Sequence, residues 1–83
     1  MLSYRGKDLR LIGDGVLEVD FTDGEKRRYD MRRLIPRHPI VQRLIDKPEL
    51  FKKGKLFHNG MTVYWNDDID VSIMTVYECG EVI

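Results

Sequence analysis

Apolar and polar positions alternate strictly from residue 17 to residue 22, with Leu17, Val19 and Phe21 set against Glu18, Asp20 and Thr22. Period two is the signature of a strand with one buried face. Beyond Asp23-Gly24 the alternation resumes, with Tyr29 and Met31 against Arg28 and Asp30. The two runs predict a β-hairpin, and parity decides its loop. Opposed residues on antiparallel strands share a face. A two-residue turn at Asp23-Gly24 would set Phe21 against Lys26 and Val19 against Arg28. A three-residue loop, Thr22-Asp23-Gly24, instead pairs Leu17 with Tyr29 and Val19 with Arg27. It gathers Leu17, Val19, Phe21, Tyr29 and Met31 on one face. With Gly24 left-handed, this is a type I turn followed by a bulge. A one-residue slip would reverse every side chain, so the odd loop is expected.

Leu9 and Leu11 mark an earlier strand over about residues 7–12, and Gly13-Asp14-Gly15 turns it into the hairpin. The first three strands therefore read as a meander. Pro36 and Pro39 interrupt the next segment. Pro39 is placed to open a helix, where its missing N–H does no harm. Ile40, Val41, Leu44 and Ile45 then form one apolar stripe. Lys47-Pro48 ends that helix, and Glu49-Leu50-Phe51 adds a further turn docked by Leu50 and Phe51. Leu56 to Trp65 reads as a second hairpin around Asn59-Gly60, a strong two-residue turn signal. Its even loop pairs His58 with Met61 and Leu56 with Val63. Leu56, Met61, Val63 and Trp65 share one face; Phe57 and Tyr64 lie on the other. Ile69 and Val71 suggest a short edge strand, Ser72 a cap for one helical turn through Thr75, and residues 78–83 a tail. The expected architecture is α+β: a three-stranded N-terminal meander plus a C-terminal hairpin, two antiparallel β-hairpins packed with one short helix. Residues 1–83 are expected to form one small domain.

The formal net charge is zero, but its distribution is not even. Residues 1–25 carry −3, residues 26–55 carry +8 and residues 56–83 carry −5. The basic middle has two readings. It is an anion-binding face, or it is neutralised internally where distant segments meet. The zero overall balance favours the second, since nucleic-acid domains are typically basic. Cys79 is the single cysteine, so no disulfide framework is expected. No apolar run approaches the ~18 residues of a membrane span, and the opening residues lack the apolar core of a signal peptide. A cytoplasmic protein without membrane partners is expected.

Candidate chemistry is sparse. His38 and His58 are the only histidines, and no His-x-x-His or Cys-x-x-Cys spacing is present, so no metal site is expected there. Asp67, Asp68 and Asp70 read either as a weak cation site or as a solvated turn. They lack the Gly and later Glu of a calcium loop, which favours the turn. No phosphate loop or nucleophile elbow occurs. No catalytic residue and no cofactor are expected. The run Lys26-Arg27-Arg28, continued by Arg32, Arg33 and Arg37, is the best binding candidate, because guanidinium forks recognise carboxylates and phosphates. On the hairpin Arg27 faces the rim while Lys26 and Arg28 face out, and cross-strand Glu18 and Asp20 are placed to neutralise some of them. Trp65 suits a core or a protein interface.

The apolar-x-apolar-x-Phe21-x-Asp23-Gly24 stretch, Tyr29-Asp30-Met31, Asp46-x-Pro48-x-x-Phe51, Asn59-Gly60 leading to Trp65, and Asp70-x-Ser72 with Val76-Tyr77 occur here in one order. In that order and spacing the chain resembles the bacterial domain of unknown function 2442, from about Leu9 to Tyr77. It departs at Ile73-Met74, where members often carry Pro-Asp. The resemblance implies a small α+β fold in a cytoplasmic bacterial protein and supplies no catalytic residues. It also implies a small protein partner, since members are often encoded beside another small protein in a layout like that of toxin–antitoxin pairs.

The functional expectation is thus a non-enzymatic protein-interaction module, antitoxin-like or accessory to another small protein, with Lys26, Arg28, Arg32, Arg33, Arg37 and Trp65 as contact residues. The alternative is nucleic-acid binding through the basic segment 26–55. An exposed edge strand in so small a sheet would also invite a homodimer.

Overall fold

The computed structural model describes residues 4–83. Strands β1 (Gly6–Gly13), β2 (Val16–Phe21) and β3 (Lys26–Asp30) form the expected meander. Leu17 lies opposite Tyr29 and Val19 opposite Arg27, the register that the odd loop requires. Phe21 and Glu25 close the loop through a 2.8 Å bond from Phe21 N to Glu25 O, and Gly24 takes a φ of 92°. Leu17, Val19, Phe21, Tyr29 and Met31 are all buried on one face.

The middle segment is more broken than the apolar stripe predicts. Asp30 caps a 3-10 turn over Met31–Leu34, accepting from Arg32 N. A second 3-10 turn, Pro39–Val41, precedes α1 (Gln42–Asp46). Pro39 thus opens a 3-10 turn, tightened by the bond from Val41 N to His38 O, and α-geometry starts only at Gln42. Val41 and Leu44 are the buried members of the stripe. Lys47 leaves helical geometry before Pro48 and starts α2 (Pro48–Phe51). Phe51 is buried, as expected of the docking turn.

Strands β4 (Lys55–Phe57) and β5 (Thr62–Asn66) pair in the predicted register, Leu56 opposite Val63. The connecting loop is wider than a two-residue turn. His58, Asn59 and Gly60 all adopt positive φ, at 52°, 58° and 81°. Met61 N still donates to His58 O at 3.2 Å, across Asn59-Gly60, and to Phe57 O at 3.1 Å. Gly60 O accepts from Gly6 N and Met61 O from Ile73 N, which ties the loop to β1 and to the last helix.

The C-terminal third departs furthest from expectation. β6 (Ile69–Ser72) pairs with β5, so the second hairpin is a three-stranded sheet ordered β4-β5-β6. Ser72 does cap a helix, accepting from Met74 N at 3.2 Å. That helix, α3 (Ile73–Cys79), runs past Thr75 because Ile73 and Val76 are fully buried and dock a second turn. The expected tail is structured too. β7 (Glu81–Val82) pairs with β3 and completes a first sheet ordered β1-β2-β3-β7. Three short α-helices thus replace the single one expected, while the α+β class stands. Residues from both sheets and all three helices share one hydrophobic cluster.

Candidate interaction surfaces

The outward residues of β1, β2 and β3 form a ladder of opposite charges. Arg28 Nη2 lies 2.8 Å from Glu18. Arg10 bridges to Glu18 at 3.2 Å and to Asp20 at 3.0 Å. Arg32 grips Asp30 at 2.7 Å. The carboxyls respond as their neighbours dictate. Arg28 first, then Arg10, holds Glu18 below its ordinary range; Arg10 does the same for Asp20, and Arg32 for Asp30. Lys26 stands opposite Asp20 in the register. Arg27 points the other way, half under α3. Its Nε donates to Tyr77 O at 3.0 Å, and its guanidinium lies over the Tyr77 ring. Its Nη1 sits 2.9 Å from Glu25, with angles too poor for a hydrogen bond. The run at 26–32 is therefore largely compensated within the sheet.

Arg33 and Arg37 part company with that ladder. The 3-10 turn after β3 carries them across to α3, where they share a cleft of about 450 Å³ with Tyr29, His38, Thr75 and Cys79. Arg33 Nη1 donates to Cys79 O at 2.6 Å, and its guanidinium lies 5.2 Å from the centre of the Tyr29 ring. Among the described residues neither arginine belongs to an ion pair. His38, read from the sequence only as a helix-start residue, joins them here.

Trp65 is a correction. It is only 7% exposed, and its Nε1 donates to Phe51 O at 2.8 Å. Its ring also stacks near Phe51. It is a core residue that ties α2 to β5, so it offers no contact surface. Of the acidic trio, Asp67 and Asp68 form a turn, and Asp70 lies on β6 opposite Tyr64. Asp67 accepts from the Tyr64 hydroxyl at 2.6 Å, while Asn66 accepts from the Asp68 and Ile69 amides. Among the described residues no three His, Cys, Asp or Glu side chains converge to hold a metal ion.

The second sheet shows solvent the face that the parity argument assigned to Phe57 and Tyr64. Their rings stack at 4.6 Å, and Phe57 remains 39% exposed. Phe57 also borders an open groove of about 600 Å³ between β1 and β4, where Arg5, Lys7 and His58 bring nitrogen donors and no acid takes part. The sequence pattern marks the aromatic pair but not the groove, because Arg5 and Lys7 lie some fifty residues before Phe57.

A small α+β fold of two antiparallel sheets, with an aromatic face and a cationic cleft, is the class of structure this chain adopts. The chain belongs to the family described as protein of unknown function (DUF2442), whose model matches residues 7–80. No curated protein and no solved structure matches it. Among the described residues no helix is long and apolar enough to cross a membrane.

Proposed function

We propose that this protein is a non-enzymatic protein-interaction module that binds through the solvent face of its second sheet. The observation that carries the reading is the stacked Phe57–Tyr64 pair at the lip of the β1–β4 groove. Exposed aromatics beside a pocket are the usual anchors of protein interfaces. Arg5 and Lys7 in that groove ask for acidic residues on the partner. The partner is therefore a protein that inserts an apolar or aromatic side chain flanked by Asp or Glu. The family resemblance adds support for another small protein in that role, in an accessory or antitoxin-like arrangement.

The test is affinity capture from the native host with the wild-type chain and with Phe57→Glu in parallel. One stoichiometric partner is expected with the wild type and none with the variant, whose fold is checked by circular dichroism. Equal capture by both chains, or no stoichiometric partner in several growth conditions, would refute this assignment.

A further inference from the structure

We propose that the cleft between the 3-10 turn at Met31–Leu34 and α3 is an oxyanion site, taking one carboxylate or phosphate group between Arg33, Arg37 and His38. The cleft stands apart from the aromatic face, so neither assignment rests on the other.

Arg33 is pre-set for such a ligand. A guanidinium carries five N–H donors, and the one intraprotein acceptor it meets among the described residues is the Cys79 carbonyl. The Tyr29 ring backs its plane. With the side chain already held by these two contacts, a ligand need not order it on binding. Arg37 lines the same cleft, and a two-point fork matches both carboxylate and phosphate. His38 and Thr75 supply further polar groups at the edge. A cleft of about 450 Å³ also has room for what carries the anion, with Tyr29 and Leu34 as apolar surface.

The neighbourhood limits the ligand to an isolated charge. A smaller cleft of about 220 Å³ adjoins the first through Leu34 and His38, and Asp68 and Asp70 line it. The potential therefore changes sign across His38. A polyanion running through both clefts would meet two carboxylates, whereas a single anion at the arginine end would not.

The test uses the full ¹⁵N-labelled chain, titrated with sodium acetate and, separately, with sodium phosphate, against sodium chloride at matched ionic strength and at pH 6. Saturable amide shifts are expected within residues 29–38 and 75–79. They should vanish in Arg37→Glu, a substitution that breaks no ion pair among the described residues. They should weaken several-fold in Arg33→Lys, which keeps the charge but loses the fork. Saturation by acetate alone identifies a carboxylate ligand; tighter saturation by phosphate identifies a phosphoryl group. Phe57→Glu should leave both titrations unchanged. Shifts that fail to saturate, spread over the outer sheet faces or survive in Arg37→Glu would overturn the site. So would an oligonucleotide that binds the cleft more tightly than either small anion, with a steep salt dependence.

Discussion

Gly6 donates its amide to the carbonyl of Gly60 at 2.7 Å, and this bond joins the first sheet to the loop of the second. Gly60 has a φ of 81°, and a Cβ there would collide with the Gly6 carbonyl oxygen. Gly24 has a comparable φ of 92°, but a Cβ there would meet open space. Gly24→Ala is expected to cost about 1 kcal/mol, the conformational penalty alone. Gly60→Ala is expected to cost at least about 2 kcal/mol, because backbone must also move. Urea denaturation of the two variants checks the ranking, and equal losses would contradict it.

Trp65 supplies a second comparison. Trp65→Phe keeps most of the buried ring but removes the indole bond to the Phe51 carbonyl, which then keeps only the Gly54 amide as donor. Losing one such bond costs about 1 kcal/mol. Thermal unfolding followed by circular dichroism should show that loss, and an unchanged midpoint would mean the bond is not formed.

The Tyr77 hydroxyl donates to Asp23 at 2.7 Å, latching α3 to the first hairpin loop. That bond holds the Asp23 carboxyl below its ordinary range and the Tyr77 phenol above its own. A depressed carboxylate contributes stability above its unfolded pKa of about 4, and that stability is lost as pH falls through the folded value. A raised phenol contributes below its unfolded pKa of about 10, and that stability is lost as pH rises through the folded value. The latch therefore works between about pH 4 and pH 10 and fails at both ends. In Tyr77→Phe the NMR-titrated pKa of Asp23 should climb toward the ordinary value; no movement would remove the latch.

Nucleic-acid binding through residues 26–55 meets the ion pairs of Arg28 and Arg32. Fluorescence anisotropy with DNA and RNA is expected to show weak binding. Replacing Lys26, Arg28 and Arg32 together by Ala should leave it unchanged. Phosphate contacts release counterions and give steep salt slopes. A steep slope that the triple variant flattens would restore the nucleic-acid assignment.

Much of this arrangement is legible in the residue order. The odd loop at Thr22-Asp23-Gly24 and the Leu56–Val63 register both follow from side-chain parity, and both occur. The Phe57 and Tyr64 face follows from the same argument. The basic run is legible in part: parity sets Arg28 across from Glu18, and that pair forms, but the path of Arg33 is not legible. Arg28 and Arg32 are spent on Glu18 and Asp30, whereas Arg33, one position further on, turns toward Cys79. Parity also places Trp65 on one face with Val63, and both are buried, but its bonding partner Phe51 is not legible because it lies on another element.

Sequence alone determined which residues of each hairpin face inward, since a strand alternates its side chains locally and a slip would expose the whole apolar set. Only the tertiary structure decided where Arg27 and Arg33 are held, how far α3 runs, and that the last residues form a strand. Those outcomes depend on pairs such as Arg27 with Tyr77, Asp23 with Tyr77, and Arg33 with Cys79, separated by 50, 54 and 46 residues. No local period carries information across such distances; the packing of α3 against the first sheet creates these contacts.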